Sequence, residues 1–256
     1  MTRRSGQVDW STRVPLVKMA VLILLVLAAC ETQERPEAAS AEAHESLDAP
    51  IDCPLRGKGV DPATMRPFEE VEEYIAFLER EDRAAWQKPD EVVAALGLTG
   101  NETVFDLGAG SGYFTFRLAR ALPHGKVIAA DTEPEMIRHI HHQVMAEGIA
   151  NVQASLVEAG DPEVPEEVDL VFICDVLHHV PDPAAWLAKL AAGMRAGARL
   201  CLIEFKEGDL PEGPPESVKI GRDRLVELMT GAGFELASEK DDLLPYQTFL
   251  VVRRAK

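Results

Sequence analysis

No C-x-x-C pair occurs among the four cysteines, Cys30, Cys53, Cys174 and Cys201, and none has metal-ligand spacing. That argues against a structural zinc site or a dithiol redox motif. Basic residues are scarce as well: 26 Lys and Arg stand against 43 Asp and Glu, a formal net charge of -17. An acidic surface repels phosphate backbones, so nucleic acid is not an expected partner. Solvated acidic faces that aid solubility are the plainer meaning of the charge. The apolar run from Met19 to Ala29 falls short of the roughly 20 residues that cross a bilayer. Glu31 to Pro50 holds hardly any large apolar residue and cannot offset the entropy of folding, so it reads as a flexible tether. No internal repeat is apparent.

What remains suffices for one domain with an N-terminal appendage. Arg3, Arg4, Arg13 and Lys18 precede the apolar run against a single acid, Asp9, the layout of a signal peptide. The run ends Leu27-Ala28-Ala29-Cys30, which resembles the bacterial lipoprotein signal. The resemblance implies acylation of Cys30 and an envelope lipoprotein anchored on the periplasmic face. An ordinary secretory signal or an uncleaved anchor are the alternatives, and an unused signal would leave the chain cytoplasmic. On this reading residues 1–30 are the signal, 31–67 the tether and 68–256 the functional domain.

The centre of that domain is Thr103-Val-Phe-Asp-Leu-Gly-Ala-Gly-Ser-Gly-Tyr-Phe114. A short apolar run bounded by turn residues suits a buried parallel strand. The glycines then let a ligand lie against the main chain, next to the free N–H groups of a helix start. The dinucleotide fingerprint needs a third glycine where Tyr113 stands. The pattern is instead D-x-G-x-G-x-G from Asp106, and Asp131 ends the next apolar strand, near the distance at which a Rossmann-like fold holds a ribose.

These residues, with Cys174-Asp-Val-Leu-His-His-Val-Pro-Asp-Pro183, resemble the class I S-adenosylmethionine-dependent methyltransferases, most closely the type 11, ubiquinone-biosynthesis-like branch. The resemblance covers roughly residues 85 to 256. It implies S-adenosylmethionine as cofactor, a small or amphipathic methyl acceptor, and in-line transfer. It places Asp106 near the donor's amino group, Gly108, Gly110 and Gly112 against the donor, Asp131 on both ribose hydroxyls, and Asp175 facing the methionine portion. Met136 either packs near the adenine or is a core methionine. Glu158 and Asp161 both qualify for the adenine edge, and Glu158 is preferred. Asp131 then serves the ligand and not the core.

His178 and His179 are the general-base candidates, since histidine titrates near neutral pH; a loop without a chemical role is the alternative. His139, His141 and His142 lack a completing carboxylate or cysteine, and no metal site is expected. The Pro- and Gly-rich stretch 207–218, with Tyr246 and Gln247, shapes the acceptor pocket or is a plain surface loop.

Apolar runs at 103–107, 126–130, 152–157, 168–174 and 199–205 alternate with helical periodicity, and two closely spaced runs, 234–238 and 247–253, end the chain. This predicts an α/β fold, Rossmann-like and doubly wound, whose mostly parallel seven-stranded sheet ends in an antiparallel hairpin. Phe68, Val71, Ile75 and Leu78 share one face of an accessory helix placed over the ligand site. Thr132 and Glu135 have capping-box spacing, and Asp182-Pro183 suits a helix start. The readings that compete with an enzyme are a lipid-anchored nucleoside-binding protein without catalysis and a nicotinamide-dependent oxidoreductase. Tyr113 and the terminal hairpin count against the latter.

Overall fold

The computed structural model describes residues 54–55, 57–61 and 65–255. Cys30, the signal and most of the tether lie outside them. Among the described residues no helix is long and apolar enough to cross a membrane.

Three helices precede the sheet: α1 (Phe68–Leu78), α2 (Arg83–Gln87) and α3 (Pro89–Ala95). There follow β1 (Thr103–Leu107), α4 (Thr115–Ala121), β2 (Lys126–Asp131), α5 (Pro134–Glu147), β3 (Val152–Leu156) and β4 (Leu170–Cys174). The chain continues through α6 (Pro183–Gly193), β5 (Arg199–Phe205), α7 (Arg222–Gly231), β6 (Phe234–Glu239) and β7 (Gln247–Arg254). The strands form one seven-stranded sheet in the order β3-β2-β1-β4-β5-β7-β6. The first five are parallel, and β7 runs antiparallel to both β5 and β6.

The parallel strands are nearly continuous apolar runs because both of their faces are covered. Phe105, Leu107, Val171, Ile173, Leu200 and Leu202 pack with Leu187 and Leu190 of α6 and Leu225 of α7. Val104, Leu170, Phe172, Cys201 and Ile203 pack on the other face with Val92 of α3, Leu118 of α4 and Ile140 of α5. Pro89 opens α3 at its first turn, and Asp182 caps α6 by accepting from the Ala185 N–H at 3.0 Å. At the edge, β6 shows a β-bulge between Leu236 and Ser238 and carries Glu235 and Glu239, features that discourage pairing with another chain.

Two local expectations need correction. The capping box at Thr132 and Glu135 does not form. The Asp131 carboxylate accepts the Glu133 N–H at 2.9 Å, and Glu135 instead accepts the main-chain N–H of Arg66 at 2.7 Å. Arg66, assigned to the tether, is thereby docked on the start of α5. The α4 terminus offers fewer free donors than a helix start usually does. The N–H groups of Phe116, Arg117 and Leu118 bond Gly112 and Phe114 carbonyls within the same turn.

Candidate active site

A parallel sheet gathers its functional residues where the strands end, because the loops that follow all leave from that edge. After β1 the chain turns back on β2, with Gly108 and Ala109 N–H groups both bonded to the Ala130 carbonyl, at 2.8 and 3.0 Å. Gly108 has φ 82°, and a Cβ there would stand 2.3 Å from Val176 in the loop after β4. Gly112, at φ 90°, would drive a Cβ to 2.6 Å from Phe116. Both positions therefore require glycine. The Gly110 N–H donates to the Asp131 carboxylate at 2.8 Å, joining the glycine loop to the end of β2.

Asp106 is buried beneath this loop and accepts from the Thr115 hydroxyl at 2.5 Å. Loss of water raises its pKa to about 7 despite that hydrogen bond. Burial also raises Asp131 above the ordinary carboxylate value, against the opposing effect of its backbone donors. Asp175, just past β4, has φ 60°, a conformation rare for a residue with a side chain. It is held by two amides, Gln87 Nε2 at 3.0 Å and Gln247 Nε2 at 2.6 Å. Desolvation, with the nearby charge of Glu204, raises its pKa to about 6.

The two histidines differ. His178 Nδ1 lies 2.7 Å from Glu204 Oε2 at the end of β5, and both side chains are buried. An ionised carboxylate can only accept, so Nδ1 carries the hydrogen and Nε2 keeps the lone pair in the neutral ring. The other Glu204 oxygen accepts the Leu177 N–H at 2.5 Å, which fixes the carboxylate. Burial opposes protonation of His178, but the hydrogen bond and charge of Glu204 outweigh it, and the net shift is upward. His179 has no such partner, and desolvation lowers its pKa.

Of the remaining candidates, Met136 is fully buried at 1% exposure, as a core methionine would be. The Val157 N–H bonds the Asp131 carbonyl at 3.0 Å, so exposed Glu158 emerges beside Asp131. Asp161 faces Lys189 at 3.9 Å. Among the described residues no group of His, Cys, Asp and Glu could hold a metal.

Helix α1 lies over the glycine loop, with Leu78 Cδ1 3.6 Å from where a Gly110 Cβ would stand. Arg83 of α2 sits over the Tyr113 ring at 4.1 Å, donates to Gln87 Oε1 and the Leu78 carbonyl, and adds its charge to the surroundings of Asp175. Arg80, between α1 and α2, pairs with Glu212 and so ties this segment to the stretch after β5.

Residues 105–200 match the family model described as "Methyltransferase domain". Over that span the chain is similar to a methyltransferase domain. It is 32% identical over 145 residues to a trans-aconitate 2-methyltransferase of Azoarcus sp., covering 57% of this chain and 54% of that one. A ubiquinone biosynthesis O-methyltransferase of Aeromonas salmonicida is 30% identical over 105 residues, 41% of this chain and 43% of that one. The chain thus spans about half the length, or less, of these curated relatives. A solved S-adenosylmethionine-dependent methyltransferase from Aquifex aeolicus shares the fold, with TM-score 0.65 and 24% identity over 70% of this chain and 96% of that one.

The residues of this site fit S-adenosylmethionine. Asp131 keeps acceptor capacity for a vicinal diol, since each carboxylate oxygen has accepted one backbone donor. The Tyr113 hydroxyl beside the glycine loop is buried without a partner. Three raised carboxylates along one edge favour a cationic ligand. The sequence reading missed Glu204, Gln87 and Arg83. A detectable signal existed for Glu204: a carboxylate inside a strand buried on both faces needs a partner.

Proposed function

We propose that this chain transfers a methyl group from S-adenosylmethionine to a small acceptor. The observation that carries the reading is the buried His178–Glu204 pair on the sheet edge that also holds the Asp131–Gly110 cradle. The donor, when bound, supplies an electrophilic methyl group on a sulfonium. Asp131 holds the ribose hydroxyls, the glycine loop admits the donor against the main chain, and Asp175 with Arg83 bounds the methionine portion. Glu204 keeps His178 in the tautomer whose Nε2 takes the acceptor's proton. Positioning and exclusion of water by α1 and α2 supply much of the rate.

A binding protein without catalysis would have no use for a buried base and its carboxylate orienter, so the dyad favours an enzyme. The names of the relatives, trans-aconitate 2-methyltransferase and ubiquinone biosynthesis O-methyltransferase, offer two candidate chemistries. Placement in the ubiquinone-biosynthesis-like branch rests on the second likeness and on the Leu177-His-His-Val180 motif. Titration calorimetry with S-adenosylmethionine, its demethylated product and NAD tests the donor. The first two should bind at micromolar affinity and NAD should not. Binding of NAD alone would overturn the reading.

We also propose that Cys30 is acylated and anchors the chain to the envelope, from the basic start, the apolar run and Leu27-Ala-Ala-Cys30. A Cys30→Ser chain that is processed and fractionates as the parent does would refute this.

A further inference from the structure

The order of strands along the sheet edge decides which way a donor lies. That edge presents in turn the ends of β3, β2, β1 and β4. Asp131 ends β2 and Asp175 follows β4. A donor with its ribose on the first and its methionine portion at the second therefore points its base toward β3. Neighbouring strands stand about 4.8 Å apart, so a base joined to a ribose at β2 meets the loop after β3.

That loop is a tight turn of four exposed residues, 158–161. The Asp161 N–H bonds the Glu158 carbonyl at 3.1 Å, and an antiparallel bridge joins the two residues. Carbonyls in a surface turn need no partner but water. Here both central ones are taken by side chains of α6. Trp186 Nε1 donates to the Ala159 carbonyl at 3.1 Å and Lys189 Nζ to the Gly160 carbonyl at 3.0 Å. The two donors stand three positions apart, on one face of the helix. Trp186 is 6% exposed and belongs to the core that α6 forms on the sheet, so that anchor is rigid.

The turn carries two acids, and its anchors separate them. Lys189 Nζ also faces Asp161 at 3.9 Å, which gives that carboxylate a cation already. Glu158 follows Val157, whose N–H bonds the Asp131 carbonyl at 3.0 Å, and so stands on the ribose side of the turn. A 6-amino purine offers an N–H donor on its outer edge, and an ionised carboxylate can only accept. A 6-oxo purine offers an acceptor there and carries an N–H on the adjacent ring nitrogen. A carboxylate free to shift serves either base. One that is held in place serves the amino form alone.

We propose that Trp186 and Lys189 of α6 are positioning residues for donor selection, holding the turn 158–161 so that Glu158 accepts from the 6-amino group of the donor's base. This rests on the methyl-transfer reading above and adds what sets the selectivity of its donor site. Neither side chain touches the donor. Both act through the main chain of the turn, and Glu158 does the reading.

The test titrates the full chain with S-adenosylhomocysteine and with S-inosylhomocysteine, its 6-oxo counterpart, and reads the ratio of the two affinities. The parent should prefer the amino form by at least about tenfold, because the oxo form sets two acceptors face to face. Lys189→Met and Trp186→Phe each remove one anchor and should shrink the ratio at least about threefold. Lys189→Arg keeps a donor and should keep the ratio. Glu158→Gln, whose amide also donates, should bring the ratio close to one. A fold that is merely weakened lowers both affinities together and leaves the ratio where it was. A ratio unchanged in both anchor variants, or kept in Glu158→Gln and lost in Asp161→Asn, would overturn the proposal. A parent that binds both compounds alike would overturn it too, with the methyl-transfer reading left standing. A parent that binds neither S-adenosylmethionine nor S-adenosylhomocysteine would overturn that reading itself, and the two failures are thereby told apart.

Discussion

Asp131 is a residue whose position could be read from the sequence and whose full role could not. Its place after an apolar strand, with the family resemblance, made it the expected ribose acceptor. The structure adds that its two oxygens accept the Gly110 and Glu133 N–H groups, so it also pins the glycine loop and the entry to α5. The expectation that it serves the ligand alone therefore changes. Asp131→Ala should weaken S-adenosylmethionine by about 30- to 1,000-fold, from loss of two charge-assisted hydrogen bonds that are not additive. It should also cost about 1–3 kcal/mol of stability by orphaning two N–H groups, visible as a melting temperature several degrees lower without ligand. Asp131→Asn keeps an acceptor oxygen and should lose less affinity. Unchanged donor affinity in the alanine variant would remove the ribose assignment. Glu204 could be flagged as a carboxylate inside a buried strand, but its partner and that of Gln87 lie 27 and 88 positions away in the chain, and no local pattern reports a contact of that range.

At the scale of elements, the central strands were legible because each must be apolar on both faces. The last two were legible because a short connection forces antiparallel pairing. That β7 lies between β5 and β6 was not legible, since strand order carries no periodic signal. Helix α2 was not legible, because five residues cannot show a helical period, yet it brings Arg83, Trp86 and Gln87 to the site. The accessory helix α1 was legible from its apolar face, and what holds it down was not. Glu135, 4% exposed, accepts the Arg66 N–H just before α1 and lies 3.9 Å from the Arg66 guanidinium. Glu135→Ala should free this end, raising the rate of limited tryptic cleavage after Arg80 or Arg83 by about three- to tenfold. Glu133→Ala removes the exposed partner of Arg66 and should change the rate little, as surface pairs contribute about 0–1 kcal/mol. Equal cleavage of the Glu135→Ala and parent chains would show that α1 is held by its apolar face alone.

Taken as a whole, a molecule of net charge -17 gathers Asp106, Asp131, Asp175 and Glu204 along one sheet edge. Burial raises the first three, Asp106 to about 7 and Asp175 to about 6, from an ordinary value of 3.8. The native state keeps these protons where the unfolded chain has released them, so stability falls as pH rises from about 4 to about 7. His178 acts in the same direction, because its raised pKa gives stability that is lost as pH climbs through the folded value. Glu79 and Glu102 are lowered, Glu79 mainly by its contact with His139 and Glu102 by Thr99 donors that outweigh desolvation. Their stability is lost as pH falls below about 4.5, which bounds the acid side. The ligand-free melting temperature should therefore peak near about pH 5 and decline toward about pH 8. Asp106→Asn should flatten part of that decline, a difference of order 2–4 kcal/mol at most, or about one to three pKa units. S-adenosylmethionine brings a sulfonium and an ammonium to the same carboxylates and favours their ionised forms. Its binding should release protons and tighten between about pH 5.5 and 7.5, whereas the product, without the sulfonium charge, should show a shallower slope. Calorimetry in buffers of different ionisation enthalpy measures the protons directly. A flat melting profile together with donor binding that releases no proton would mean that these carboxylates are already ionised in the empty site, and that their burial is not what prepares it for a cation.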